Sequence, residues 1–333
     1  MFDFDLVTGP VVNDILRNNR TAVIDIVRDA YVAHRAGSTV NPDSYFLRFP
    51  DKPAARIIAL PAFLGGDVGL AGIKWISSFP ENITRGAPRA SAVLVLNDYA
   101  TGYPIACLEA ATISAARTAA SAALAARTLR PEGYASTAIA VLGAGVIARN
   151  ICDYLLAIGC RPSEFVIYDL HEASSRALAD YLSQELGQQA SIAAGLADAL
   201  SAETVVLATT AAKPYIDAKF APGQLVLNIS LRDLAPEVVL AATNIVDDVD
   251  HCLKADTSPH LAEQLSGSRD FVTGTLADIL TGALDVPGAG PVVFSPFGMG
   301  VLDLAVGAYV HKRARAAGTA LAVPEFFAET SRW

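Results

Sequence analysis

Apolar positions recur along this chain with two different periods, and the changes of period divide it. Residues 21–36, TAVIDIVRDAYVAHRA, set Val23, Ile26, Val27, Ala30, Tyr31 and His34 at helical spacing with charges between them. This predicts an amphipathic surface helix, with His34 a partly exposed member. From Ser44 the segments SYFLRF, RIIAL, LAGIKWIS, SAVLVLND and PIACLE read as strands broken by Pro, Gly and Asn, and Asn97 to Tyr103 as a hairpin connection. No strand–helix–strand repeat occurs there. A helix of small residues follows from about Ala110 to Leu129; its Ala and Ser side chains allow close backbone packing where one domain hands over to the next. Pro131-Glu132-Gly133 ends it. Beyond that point strands and helices alternate. The uncharged run Thr137 to Leu142 suits a strand buried on both faces of a parallel sheet. Further strands are expected at Phe165 to Tyr168, Val205 to Ala208, Leu225 to Ile229 and Asn244 to Val246, with Phe271-Val272 and Val292 to Phe294 as additions, and a helix near 171–186. The last helix, 300–317, ends in basic residues before Gly318. The pattern predicts an α/β chain: a β-rich N-terminal domain over 1–130, a doubly wound domain over 131–299, and a segment 300–333 that packs back on the first. No repeats or low-complexity segments interrupt it.

The turn after the run Thr137 to Leu142 carries candidate chemistry. Gly143-Ala144-Gly145-Val146-Ile147-Ala148 fits G-x-G-x-x-[G/A] between a strand and a helix. In that pattern the first glycine permits the tight turn, the second lets a pyrophosphate approach the backbone, and a small third residue packs the helix on its strand. The free N–H groups of the helix start face the phosphates. The next strand ends at Asp169, roughly 20 residues on, where the pattern sets a carboxylate on the adenosine ribose. Strand, turn, helix, strand and Asp in register predict a Rossmann-type dinucleotide site, against the alternative of a glycine-rich turn without a ligand. A 2′-phosphate beside Asp169 would meet like charge, and Leu170 and His171 supply no guanidinium, so NAD is expected over NADP. Arg176 is the residue that weighs against this.

Composition narrows the partners. The 333 residues are 52% hydrophobic and 18% charged, which suits a well-cored globular protein of two domains. A net charge of -9 without a basic run leaves no footprint for nucleic acid. Cys107, Cys152, Cys160 and Cys252 show no C-x-x-C spacing and read as reduced thiols. The start, MFDFDLVTGP, lacks a basic n-region, and no apolar stretch nears the length of a membrane span. A cytoplasmic protein with a small-molecule substrate and no membrane partner is expected. No histidine lies in a ligand cluster and no metal motif appears.

Four cations stand among apolar neighbours in the N-terminal half: Arg48 in YFLRFP, Lys74 in AGIKWIS, Arg89 in GAPRASAV and Arg117 in SAARTAAS. Any one alone reads as a snorkelling or solvated side chain. Four in one small region suggest convergence on an anionic ligand, because arginine forks match carboxylates. In the second domain Asn228 to Asp233 put polar groups past a strand's carboxyl end, where open α/β sheets bind ligands. Asp233 is a candidate acid or base, or else an N-cap before Leu234-Ala235-Pro236. Thr209 and Thr210, after VVLA, are candidate cofactor contacts.

These residues carry a resemblance. Over nearly its whole length the chain resembles the ornithine cyclodeaminase and mu-crystallin family, on Ile73 to Pro80, Ala116 to Ser121, the glycine turn and Asn228 to Asp233. The resemblance implies an N-terminal β domain that binds substrate and forms a homodimer, a Rossmann NAD domain, carboxylate-binding roles for Arg48, Lys74 and Arg117, and a catalytic role for Asp233. Within the family, RIIALPAFLGGD, GIKWISSFPENI, PRASAVLVLNDYATGYPIACLEA and NISLRDLAPE look closest to the dehydrogenases of 2,3-diaminopropionate biosynthesis. Those enzymes act on N-[(2S)-2-amino-2-carboxyethyl]-L-glutamate, the product of a pyridoxal-phosphate-dependent synthase, in making siderophores and peptide antibiotics. Ile58 stands where the cyclodeaminases align a glutamate, and Arg89 where they carry a neutral residue. An anion is lost and a cation gained, which suits a substrate with three carboxylates. The implied reaction is an oxidative hydrolysis with Lys74 and Asp233 as proton-transfer candidates. The rival readings are an ornithine cyclodeaminase or imine reductase and, from another class, a dinucleotide-dependent binding protein without turnover.

Overall fold

The computed structural model describes residues 3–135, 137–285, 288 and 290–328. The chain divides into two compact units, Met1–Arg117 with Met299–Trp333, and Thr118–Gly298. The first boundary falls inside the small-residue helix, ahead of the break expected at Pro131. Ala and Ser predominate on both sides of that point, so the composition of the helix does not mark the change.

The first unit is built on a sheet of β1 (Asp5–Val7), β2 (Thr39–Val40), β3 (Tyr45–Phe49), β4 (Lys52–Leu64), β5 (Leu70–Ser78), β6 (Ala90–Asp98), β7 (Pro104–Glu109) and β16 (Leu321–Ala322). Its order is β16-β1-β7-β6-β5-β4-β2, with β3 also on β4, and β3 to β7 pair antiparallel. Strand β4 runs far beyond the RIIAL that periodicity marks. Pro61 interrupts the reading but not the strand, because it falls between the stretch paired to β3, which ends at Ala59, and the stretch paired to β2, which starts at Phe63. One face of the sheet is covered by α11 (Gly300–Ala316), which also packs on α1 (Gly9–Asn18) and α2 (Arg20–Arg35). The buried stripe of α2 is Val23, Ile24, Val27, Ala30 and Tyr31, with Ile24 in place of the expected Ile26. Helix α11 is buried on every side from Gly300 to Gly307, as an apolar helix inside a unit must be. On the opposite sheet face Tyr45, Leu47, Trp75 and Val93 are all exposed, by 70%, 46%, 42% and 41%.

The second unit holds eight parallel strands: β8 (Ala138–Leu142), β9 (Glu164–Tyr168), β10 (Ala190–Ile192), β11 (Thr204–Leu207), β12 (Leu225–Asn228), β13 (Thr243–Val246), β14 (Val272–Thr275) and β15 (Val292–Ser295). Their order, β10-β9-β8-β11-β12-β15-β13-β14, reverses direction at β8, which makes the sheet doubly wound. Strands β11, β12 and β15 are buried at every residue, in accord with the three consecutive apolar residues that each carries beside one polar residue at an end. Helix α3 (Ala111–Leu129) spans the division between the units, α4 (Val146–Ala157) links β8 to β9, and α5 (Glu172–Asp180) continues into a π-helical turn over Tyr181–Glu185. The remaining helices are α6 (Leu196–Ala199), α7 (Pro236–Leu240), α8 (Val249–Cys252), α9 (Ser258–Ser266) and α10 (Leu276–Leu280). Among the described residues no helix is long and apolar enough to cross a membrane.

Candidate active site

In the first unit, strand alternation turns Lys74 onto the face under α11, where Leu60, Lys74, Leu94 and Leu108 lie in one cross-strand row. Lys74 is only 2% exposed. Its Nζ donates to Asp303 Oδ2 at 2.6 Å and to Ser114 Oγ at 3.1 Å. Arg117 Nε donates to the other oxygen, Asp303 Oδ1, at 3.2 Å. Burial lowers the Lys74 pKa to about 8; the Asp303 carboxylate opposes this and the Arg117 charge reinforces it. Lys74 and Arg117 are thus brought together on one protein carboxylate, which the sequence reading did not anticipate. Arg48 is exposed on β3 with its guanidinium 5.4 Å from the centre of the Phe46 ring. Arg89 is half-buried, its Nε donating to Ser78 Oγ at 3.2 Å, and burial lowers its pKa. A freely solvated loop residue would show neither feature.

In the second unit, Gly143 has φ of 88°, and a Cβ there would stand 2.5 Å from the Ala208 carbonyl oxygen. Only glycine fits where β8 turns beside β11. Gly145 is the reverse case: a Cβ there meets nothing within 4 Å, so its backbone is open to a close ligand. Helix α4 starts at Val146 with no side chain capping it, which leaves its first N–H groups for an anion. Ala148 is fully buried against the sheet. Asp169 follows β9 and braces the turn, its Oδ2 accepting from Ala144 N–H and its Oδ1 from His171 N–H, both at 2.8 Å. Arg176 pairs with Glu172 one helical turn away. That pairing occupies the one guanidinium that weighed towards a 2′-phosphate.

At the carboxyl ends of β11 and β12 the polar residues meet. Thr209 Oγ1 donates to Asp233 Oδ1, while Thr210 is exposed. Asp233 is fully buried, and its Oδ2, like Ser230 Oγ and Asn228 Oδ1, has no hydrogen-bond partner among the described residues. Three buried orphan polar atoms at the end of a strand mark a place that a polar ligand completes. Asp233 caps nothing: α7 starts after Ala235 without a side-chain cap. The alternative role as an N-cap is therefore excluded. The Tyr215 hydroxyl interacts with the same carboxylate, and burial together with the Asp233 charge pushes its pKa up.

The sequence profile of the ornithine cyclodeaminase/mu-crystallin family matches residues 12–318. The chain belongs to that family. The N-((2S)-2-amino-2-carboxyethyl)-L-glutamate dehydrogenase of Staphylococcus aureus is 30% identical to it over 311 residues, covering 90% of this chain and 91% of that protein. Among solved structures, the Delta(1)-pyrroline-2-carboxylate reductase of Thermococcus litoralis in complex with NADH and L-proline matches with a TM-score of 0.88 and 21% identity, covering 96% of this chain and 100% of that one. An archaeal alanine dehydrogenase dimer with bound NAD matches at 0.85 and 22%, covering 98% and 100%. These likenesses share the fold described above. In this member of the ornithine cyclodeaminase/mu-crystallin family, sequence reasoning overlooked Asp303, Ser114 and Tyr215. Only Asp303 leaves a local signal, a lone carboxylate in the apolar start of GVLDLAVGAYV.

Proposed function

We propose that this protein is an NAD-dependent dehydrogenase that converts N-[(2S)-2-amino-2-carboxyethyl]-L-glutamate and water to L-2,3-diaminopropionate and 2-oxoglutarate. When bound, NAD supplies the acceptor for the two electrons and the hydrogen leaving the glutamate Cα. Gly143, Ala144, Gly145, Val146 and Ile147 would hold its pyrophosphate, Asp169 its adenosine ribose, and Thr209 and Thr210 would contact it from the end of β11. Lys74, with its pKa lowered towards neutrality, takes the proton from the bridging substrate nitrogen so that the lone pair can form the C=N bond. Asp233 takes a proton from the water that adds to the imine carbon. Lys74 returns its proton to the nitrogen, the C–N bond breaks as the hydroxyl proton is lost to solvent, the diaminopropionate amine leaves, and the carbonyl of 2-oxoglutarate remains. Arg48 and Arg117 hold carboxylates and Arg89 holds a further one.

The observation that carries the substrate assignment is the charge on one sheet face. Beside Lys74 this face carries Arg48 and the guanidinium of Arg89, while Ile58, in register with Ile76 on the same face, offers nothing to a second ammonium. A polycarboxylate fits such a face and a diamine is repelled from it. The 30% identity to the Staphylococcus aureus enzyme supports the same choice. A pyridoxal-phosphate-dependent synthase supplies the substrate, and the product feeds siderophore or peptide antibiotic assembly in the cytoplasm. The uncovered apolar face of β3 to β6 supports a homodimer. The direct test is Arg89→Ala. Loss of one charge-assisted hydrogen bond, about 1.5–3 kcal/mol, lowers kcat/KM for this substrate roughly 10- to 150-fold while NAD affinity stays the same. Unaltered kinetics would remove Arg89 from the site.

A further inference from the structure

Asp233 is fully buried, so a proton that it takes from water has to leave through its neighbours. Thr209 is tied at both ends: its hydroxyl donates to Asp233 Oδ1 and accepts from the Ala211 N–H at 3.2 Å. Tyr215 meets the same carboxylate and the Thr209 hydroxyl with its own hydroxyl, from a residue that is 40% exposed. Its side chain therefore runs from the buried carboxylate towards the surface.

The backbone fixes that contact. The N–H groups of Tyr215 and Ile216 both donate to the Asp233 carbonyl, at 3.1 and 3.0 Å, and the Ala235 N–H donates to the Ile216 carbonyl at 2.8 Å. Ile216 and Leu234, both buried, form a parallel bridge between these bonds. Pro214 stiffens the approach by fixing its own φ. A phenol near the surface is free to turn its hydroxyl to water; this one is held on a carboxylate instead.

The pairing suits proton traffic. A hydrogen bond donated to a carboxylate favours the charged, proton-accepting form. Burial and the Asp233 charge, with a smaller contribution from the Tyr168 phenol, keep the Tyr215 proton in place at working pH. The Tyr215 oxygen thus carries both a proton to give and lone pairs to receive one.

We infer that Tyr215 is the relay through which Asp233 sheds its proton to solvent between turnovers. The Asp233 O–H bond breaks as an O–H bond forms on Tyr215, and the phenol's original proton passes to a water molecule. No electrons are exchanged and the carboxylate is regenerated. The inference rests on the proposed role of Asp233 as the base for the attacking water, and Tyr215 acts through Asp233 as a positioning residue.

The test uses Tyr215→Phe, which keeps the ring and removes the hydroxyl, in the full-length protein with NAD and the amino-carboxyethyl glutamate. At low buffer concentration kcat falls about 100-fold with KM nearly unchanged, and added imidazole, a mobile proton carrier, restores part of the loss while leaving the wild type unaffected. Unaltered kcat, or a loss that imidazole does not relieve, overturns the relay. A second measurement needs no turnover. With a carbon-13 label at the tyrosine Cζ, the signal missing from Tyr215→Phe shifts as the wild type is taken through the carboxylate range of pH and stays fixed in Asp233→Asn. The same titration in both proteins would show the hydroxyl and the carboxylate to be uncoupled and overturn the relay as well. Coupling in a protein that fails to oxidise the amino-carboxyethyl glutamate would leave the Tyr215–Asp233 pair standing and sink the substrate assignment. Oxidation by the wild type and by Tyr215→Phe at equal rates would do the opposite.

Discussion

A lysine ammonium walled in by leucines is stable only beside a carboxylate, and Asp303 is the one Lys74 has. The two influences on Lys74 oppose each other. Burial favours the neutral amine and Asp303 the ammonium, and the balance falls at about 8. Below that pH Lys74 is charged and cannot accept a proton; above it the free amine predominates. The account therefore predicts that kcat/KM for oxidation rises with pH through about 8. In Asp303→Asn the carboxylate no longer holds the proton on, so the limb moves to lower pH; in Lys74→Arg, which cannot lose its charge at any working pH, the limb disappears. A pH–rate series on the three proteins checks this, and a wild-type profile that is flat or falls through pH 8 would remove Lys74 as a base. Asp303 was invisible as a partner beforehand for a simple reason: 229 residues separate it from Lys74.

At the scale of elements, β8, the glycine turn and β9 were legible because each part has a local cause: β-forming runs, a turn only glycine can make, and a terminal Asp. Elements without a local cause were not. Strands β1, β2, β10 and β16 have three residues or fewer, too few to show a period, and α1 buries only Val12 and Leu16. Arg56 opens the RIIAL run in plain view, yet its place opposite Arg48 depends on a hairpin register that the sequence does not reveal. The two glycines of the turn make a paired prediction. Gly143→Ala forces a side chain into positive φ and onto the Ala208 carbonyl, and should destabilise the protein by about 1–3 kcal/mol in thermal or denaturant unfolding. Gly145→Ala adds a methyl to open space, so stability should hold while NAD affinity falls. If Gly145→Ala binds NAD as tightly as the wild type, the pyrophosphate does not lie on this turn.

For the whole molecule, the sheet face bearing Tyr45, Leu47, Trp75 and Val93 is a larger exposed apolar surface than scattered residues produce. A homodimer that covers it predicts that Trp75→Glu sediments as a monomer where the wild type sediments as a dimer; a dimeric Trp75→Glu would put the interface elsewhere. The proposed reaction is tested by its products. Incubated with NAD and N-[(2S)-2-amino-2-carboxyethyl]-L-glutamate, the purified protein should form 2-oxoglutarate and NADH in equal amounts, and with ornithine it should release neither ammonia nor proline. Ammonia and proline from ornithine, with no 2-oxoglutarate from the glutamate derivative, would contradict the account.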